Sequence, residues 1–81
     1  MQVPARRNPR PEWVLTRRVA LGHRIAQLRL AAQLSQEQLG NLAGIERRSI
    51  QRYEAGTRDP QYSDLLLIAH ALRVHLADLL D

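Results

Sequence analysis

The stretch that most constrains the fold is LSQEQLGNLAGIERRSIQRYEAG, residues 34–56. It contains two short helical patterns that meet at Gly44. Ser35 followed three positions later by Gln38 is a capping box, which is typical of a helix start. Gly44 suits a tight turn that needs a positive φ. The predicted helices run from about Gln36 to Ala43 and from about Arg47 to Glu54.

Two helices joined by such a short turn pack at a steep angle only if the residue at their closest approach is small. Gly40 is the small residue at the predicted crossing, and Gly44 is the turn residue. The inward positions of the pair must be apolar. They are Leu39, Ala43, Ile45, Ile50 and Tyr53.

Helical periodicity also flanks this pair on both sides. One helix is predicted to begin near Glu12 or Thr16, and a short apolar turn over residues 76–80 is predicted to end the chain. No segment shows the alternation of a strand, and the chain has no Phe. We therefore predict an all-α fold, a compact bundle of five helices. The repeating apolar positions are Leu21, Ile25, Leu28 and Ala32 before the pair, and Leu65, Ile68, Ala69 and Leu72 after it.

The 81 residues suffice for one domain, which we predict to span 16–81. Three prolines and three arginines lie in the first eleven residues, which predicts a flexible basic arm over 1–15. The arm is either an inert tail or a segment that lies along a phosphate backbone or a minor groove. Trp13 and Val14 belong either to an early extra helical turn or to a hydrophobic lid.

The charge of the chain is high and unevenly distributed. The net charge is +4, and all 12 basic residues are arginine. Arginine presents a planar fork of donors that matches phosphate, although codon bias in a GC-rich genome explains the absence of lysine equally well. Residues 1–35 carry seven arginines and one acid, whereas residues 63–81 carry one arginine and three acids. This polarity predicts one face suited to polyanions.

The sequence lacks the residues that several classes of function need. There is no cysteine, and His23, His70 and His75 do not have the spacing of a metal site. No nucleophile, base and orienting group are grouped together, so we expect neither an enzyme nor a cofactor. The chain has no run of about 18 apolar residues and no signal peptide, and we expect a prokaryotic cytosolic or phage-encoded protein.

Four segments together resemble the lambda-repressor/Cro-like helix-turn-helix DNA-binding domains, also called the xenobiotic-response-element family. The resemblance spans about Leu21 to Leu80 and implies that the third helix is the recognition helix. The segments are LGHRIAQLR, LSQEQLGNLAGI, RRSIQRYEAG and LLLIAHALRVHLADLL.

The predicted recognition helix has an apolar face and a cationic face. A helix fits the major groove of DNA, where Arg can bind guanine with two hydrogen bonds and Gln can pair with adenine. The resemblance places Arg47, Arg48 and Arg52 at outward positions that often read base edges, and Gln51 shares their face of the helix. The predicted base-reading residues are Arg47, Arg48, Gln51 and Arg52.

The resemblance also implies roles for residues around the recognition helix. Arg29 and Glu54 match a pair that bridges the third helix to the first, and a half-buried carboxylate needs such a partner. Arg58 is the leading phosphate candidate, and we expect the ring of Tyr62 to pack in the core. The predicted contacts to the DNA backbone or at helix two are Gln36, Thr57, Arg58, Gln61 and Tyr62.

Three positions depart from the family pattern. Glu46 replaces a Ser or Thr cap, and Glu caps poorly. Glu46 is predicted either to orient Arg47 or Arg48 or to repel incorrect DNA sequences. The alternative is that its carboxylate accepts a hydrogen bond from a cytosine amine. Arg73 and His75 replace a helix-ending glycine and a Ser cap, so we expect an irregular turn between helices four and five.

We predict a transcriptional regulator, a repressor or autoregulator, that binds double-stranded DNA as a weak homodimer on an inverted repeat. The alternative is a protein-binding module, such as an antitoxin that masks a toxin or a regulator that contacts polymerase. The dimer candidates are Leu67, Leu76, Leu79 and Leu80.

Overall fold

The computed structural model describes residues 10–80, which form five helices and no strand. The all-α prediction and the number of helices are confirmed within this part of the chain. None of the described helices is long and apolar enough to cross a membrane. The helices are α1 (Glu12–Ala31), α2 (Gln36–Ala43), α3 (Arg47–Ala55), α4 (Tyr62–Leu72) and α5 (Leu76–Leu80).

The ends of α2 follow from local chemistry. The Ser35 hydroxyl accepts a hydrogen bond from the Gln38 backbone N–H at 3.0 Å, and the Gln38 side chain accepts one from the Ser35 N–H at 2.8 Å. This capping box satisfies two backbone donors that the first turn of a helix leaves without partners. At the other end Gly44 has φ +73°, the left-handed conformation that the short turn into α3 requires.

The core draws one apolar face from each helix. Its five fully buried large side chains come from five different helices: Ile25, Leu39, Ile50, Ile68 and Leu79. Leu79 is only 1% exposed, so its prediction as a dimer contact is wrong. The leucine packs inward because α5 is a short helix that contacts both α1 and α4 and needs an apolar anchor.

Helix α1 begins at Glu12, the earlier of the two predicted starts, so residues 12–15 are helical and do not belong to the arm over 1–15. Pro11 permits this early start, because its carbonyl accepts from the N–H groups of Val14 and Leu15 and proline is tolerated where a helix begins. Trp13 therefore lies in an early helical turn and is 69% exposed, which rules out a lid. Residues 1–9 of the predicted basic arm lie outside the described residues.

The turn between α4 and α5 is regular, contrary to the sequence-based expectation. The Val74 N–H reaches the Ala69 carbonyl at 3.0 Å and the Arg73 N–H reaches the His70 carbonyl at 3.1 Å. These are the bonds of a Schellman motif, which requires a left-handed residue after the helix. Arg73 takes that conformation, with φ +60°, in place of the usual glycine.

Changing Arg73 to glycine is therefore expected to stabilise the fold. An L-residue in the left-handed region is disfavoured by about 1–2 kcal/mol, and the greater freedom of glycine in the unfolded chain offsets about half of this. We expect the free energy of unfolding, measured by urea denaturation, to rise by about 0.5–1 kcal/mol. A lower stability would contradict this account of the turn.

Tyr53 joins α3 to α4. Its ring is 4% exposed, and its hydroxyl donates a short hydrogen bond to the Asp64 carboxylate. Burial, together with the hydrogen bond to Asp64, raises the pKa of Tyr53 to about 12. The ionised form of this tyrosine is therefore disfavoured in the folded protein.

This raised pKa predicts a loss of stability in alkali. Because the folded protein holds the Tyr53 proton to higher pH than the unfolded chain does, the stabilisation is complete below pH 10 and is lost as pH rises towards 12. The chain has no Lys or Cys to titrate in this window. We expect urea denaturation at successive pH values to show a fall of about 2 kcal/mol, which Tyr53→Phe removes. If the free energy of unfolding falls equally with pH in the original protein and in Tyr53→Phe, the loss does not come from Tyr53.

Candidate nucleic-acid interface

Helix α3 is seated directly on the backbone of its neighbours. A Cβ atom on Gly22 of α1 would lie 2.3 Å from the Tyr53 carbonyl oxygen and 2.7 Å from that of Glu54. A Cβ atom on Gly40 of α2 would lie 2.5 Å from the Ile45 carbonyl oxygen. No side chain fits at either distance, so the two glycines determine how closely α3 approaches α1 and α2.

A polar network fastens the end of α3 to the start of α2. Arg29 donates to the Glu54 carboxylate through Nε at 2.7 Å and Nη2 at 2.9 Å, and Gln36 Nε2 donates to the same carboxylate at 2.9 Å. Arg29 also donates to the Leu34 carbonyl at 2.8 Å. The hydrogen bond to Glu54 raises the pKa of Arg29 above its usual value. The bridge between α1 and α3 is present as the sequence suggested, but Gln36 uses part of its amide inside the protein.

The outward face of α3 is cationic and open. Arg47, Arg48, Gln51 and Arg52 are all exposed, whereas Ile50 and Tyr53 on the other face are buried. Arg47 Nη1 lies 3.9 Å from Glu37 Oε1, and both side chains are more than half exposed, so this is a weak surface ion pair. The side chains of the other three residues make no hydrogen bond or ion pair to residues 10–80.

The loop after α3 and the start of α4 place four of the predicted backbone contacts, Thr57 among them, at the surface. Arg58 and Gln61 are exposed, and Tyr62 is 66% exposed, so the expectation that its ring packs in the core is wrong. Leu65 and Ile68 supply the inward face of α4, which leaves the first residue of that helix on the outside. The Thr57 hydroxyl donates to the Arg52 carbonyl at 3.3 Å and so helps to end α3.

Most of the chain matches one known protein family. The model of a family described as helix-turn-helix domain matches residues 20–81. The chain belongs to this helix-turn-helix family. The resemblance noted from the four sequence segments is thereby confirmed.

Solved structures share the fold of this helix-turn-helix protein. The restriction-modification controller protein C.AhdI from Aeromonas hydrophila is 36% identical, with 75% of this chain and 92% of that chain covered and a TM-score of 0.74. The clp gene regulator ClgR from Corynebacterium glutamicum is 26% identical, with 86% of this chain and 72% of that chain covered and a TM-score of 0.77. The hypothetical transcription factor NHTF from Neisseria is also 26% identical, with 99% of this chain and 87% of that chain covered and a TM-score of 0.77. No curated protein sequence matches the chain.

Glu46 occupies the N-cap position of α3 in this helix-turn-helix protein. Its backbone is extended, with φ −61° and ψ 142°, but its side chain makes no capping hydrogen bond. The carboxylate is exposed and makes no ion pair with Arg47 or Arg48 in the described structure. Its negative charge interacts favourably with the positive end of the helix dipole, but it supplies no hydrogen bond to the first turn. Its predicted orienting role stays a prediction.

Sequence reasoning missed three residues of α1 that position other helices: Gly22 and Arg18 contact α3 or its end, and Arg24 contacts α5. Gly22 lies inside a long helical pattern, where a glycine gives no sign of the partner that it approaches. Arg18 Nε donates to the Gly56 carbonyl at 2.7 Å, at the end of α3, and Arg24 Nε donates to the Asp78 carbonyl at 2.8 Å. A cation at the C-terminal end of a helix is favoured, but only the fold reveals which helix end each arginine reaches.

Proposed function

We propose that this protein is a sequence-specific transcriptional regulator that reads the major groove of double-stranded DNA with α3. The observation that carries the proposal is the outward face of α3, where Arg47, Arg48, Gln51 and Arg52 are exposed on a helix that two backbone contacts hold in place. A rigid support matters because base recognition needs donors in a fixed position.

The major groove accommodates α3. An α-helix with its side chains is about 10–12 Å across, and the major groove is about 12 Å wide. Arginine pairs with two acceptors on guanine, so three exposed arginines support recognition of a site rich in G·C pairs. Gln51 adds a group that matches adenine.

The flanking residues support contacts to the sugar-phosphate backbone. Arg58, Gln61 and Tyr62 are exposed where α3 ends and α4 begins. A cation, an amide and a phenol there can bind phosphate oxygens and set the register of α3 in the groove. Gln36 can join them with the part of its amide that Glu54 leaves free.

We further propose that the protein binds as a weak homodimer on an inverted repeat. Two recognition helices related by a two-fold axis reach half-sites roughly 34 Å apart. Of the predicted dimer residues, Leu67 is 43% exposed and Leu80 is 51% exposed, while Leu76 is half-buried. This small apolar surface supports a weak contact.

The likeness to a controller protein supports a repressor or autoregulator. That protein, at 36% identity, has 92% of its own length covered by this chain. A regulator can therefore consist of little more than this fold, and such a protein acts chiefly by occupying its DNA site.

Selection from a random duplex library at moderate salt tests the proposal directly. We expect an enriched motif of two inverted half-sites centred about 10 base pairs apart. The same selection with Arg47, Arg48 and Arg52 changed to alanine is the control. Absence of a motif, or the same motif with the triple variant, would overturn the proposal.

Arg58→Ala is expected to weaken binding to every DNA sequence by a similar factor. A phosphate contact carries no base information, and its loss reduces the number of counterions that binding releases. In a plot of log affinity against log salt concentration, we expect the slope to fall by about 1. A change in the selected motif would show instead that Arg58 reads bases.

A further inference from the structure

Two residues in the N-terminal half of α1 support the loop that follows α3. This α3–α4 loop runs from Gly56, which ends α3, to Gln61, which precedes α4. Arg18 Nε donates to the Gly56 carbonyl at 2.7 Å, and a Cβ atom on Gly56 would lie 3.0 Å from Val19 Cα. Within residues 10–80, Arg18 makes the one hydrogen bond between α1 and this loop. A hydrogen bond and a close backbone contact therefore fix the start of the loop to α1.

The α3–α4 loop carries the leading candidate for a contact to the DNA backbone. Arg58 is exposed on this loop and follows the buried Gly56 by two positions. A phosphate contact sets the register of a recognition helix only if its donor keeps a fixed position relative to that helix. The hydrogen bond from Arg18 to the Gly56 carbonyl lies at the point where the chain leaves α3, so it controls where Arg58 is presented.

We infer that Arg18 is a positioning residue for DNA binding, which holds the α3–α4 loop so that Arg58 reaches a phosphate. The inference rests on the proposed function, since it needs the backbone contact proposed for Arg58. The Arg18 side chain is only 24% exposed, whereas Arg58 is open to solvent, which favours action through the loop over a direct contact to phosphate. Arg18 and Val19 both precede residue 20, where the family match begins, so this support lies outside the matched segment.

The ion pair between Arg18 and Asp59 adds little to this support. Arg18 Nη1 lies 3.9 Å from Asp59 Oδ2, and the Asp59 side chain is 55% exposed. An exposed pair at this distance contributes little, because water and salt screen it. The hydrogen bond to the Gly56 carbonyl is therefore the contact that an experiment must remove.

Two neutral variants of Arg18 separate the hydrogen bond from the charge. The amide nitrogen of glutamine lies as many bonds from Cα as Nε of arginine does, so Arg18→Gln keeps a donor for the Gly56 carbonyl. Arg18→Met has a similar length and no donor. We expect Arg18→Met to weaken binding to every DNA sequence by the factor measured for Arg58→Ala, and to lower the salt slope by about 1. Arg18→Gln should keep most of the affinity and the original slope.

A double-variant cycle in the full-length protein shows whether Arg18 acts through Arg58. With Arg58→Ala already present, Arg18→Met should change the affinity by a factor of about one, because the contact that it positions is gone. If Arg18→Met still weakens binding in that background, or if Arg18→Gln loses as much as Arg18→Met, Arg18 contacts phosphate itself and the inference is wrong.

Arg24→Met is the matched control. Arg24 also donates from Nε to a backbone carbonyl, that of Asp78 at 2.8 Å, but this bond joins α1 to α5. Affinity should be measured on a duplex with one selected half-site, so that dimer formation does not enter, and Arg24→Met should leave it nearly unchanged. Equal losses from Arg24→Met and Arg18→Met would overturn the inference.

The same measurements distinguish failure of the inference from failure of the proposed function. If Arg58→Ala weakens binding and Arg18→Met does not, the inference alone is overturned. If Arg58→Ala has no effect either, the proposed backbone contact is overturned with it, while the DNA selection still tests recognition by α3 independently.

Discussion

The triple change of Arg47, Arg48 and Arg52 to alanine is expected to abolish sequence-specific DNA binding. Each arginine that contacts a base contributes about 1–3 kcal/mol, so the triple variant should lose at least about a hundredfold in affinity for the selected site. All three side chains are exposed, and α3 is held by contacts that involve none of them. The fold should therefore be unaffected.

The measurement is the affinity of each single variant and of the triple variant for the selected site and for an unrelated duplex, at one salt concentration. Arg73→Gly is the matched control, since it removes one positive charge from the turn after α4 and not from α3. If the control loses as much discrimination between the two duplexes as Arg47→Ala does, general charge and not base recognition explains the binding.

The change Glu54→Ala is expected to have the largest effect on stability. The carboxylate is 7% exposed and accepts three hydrogen bonds, two from Arg29 and one from Gln36. Its removal leaves the Arg29 guanidinium, 12% exposed, without its anionic partner. Breaking a buried pair in this way costs about 3–5 kcal/mol, a large part of the stability of a domain of this size.

Urea denaturation measures this effect, and Glu37→Ala is its control. Glu37 also lies near an arginine, but the pair is 3.9 Å apart and its carboxylate is 67% exposed, so we expect a change within about 0.5 kcal/mol. A double variant, Arg29→Met with Glu54→Leu, should be more stable than the sum of the single changes predicts, because it buries no unpaired charge. Strict additivity would show that the pair does not couple α1 to α3.

Local chemistry made part of this structure predictable. The capping box at Ser35 and the left-handed Gly44 placed α2 within its observed bounds, and the outward residues of α3 followed from its helical period. The bridge between Arg29 and Glu54 came from resemblance and from the need of a half-buried carboxylate for a partner. Each of these inferences depends on residues close in sequence or on one strong physical requirement.

Two of the errors, at Tyr62 and Leu79, have a common cause in packing between distant segments, whereas the one at Arg73 is local. Tyr62 was expected inside, yet it begins α4 on the surface, whereas Leu79 was expected at a dimer contact and anchors α5 in the core. Arg73 accepts a left-handed conformation because the bonds of the helix-ending turn outweigh its intrinsic preference. In each case the residue type is compatible both with the predicted environment and with the observed one.

By itself, then, the sequence determined five helices, the turn at Gly44 and a cationic face on α3, because these depend on hydrogen bonds and periodicities within a few residues. Only the tertiary structure decided that Gly22 lets α1 touch the backbone of α3, that Arg18 reaches Gly56, and that the N-terminal half of α1 borders a cavity with α5. Those features depend on how closely two remote backbones approach, a distance that the summed packing of the whole core determines.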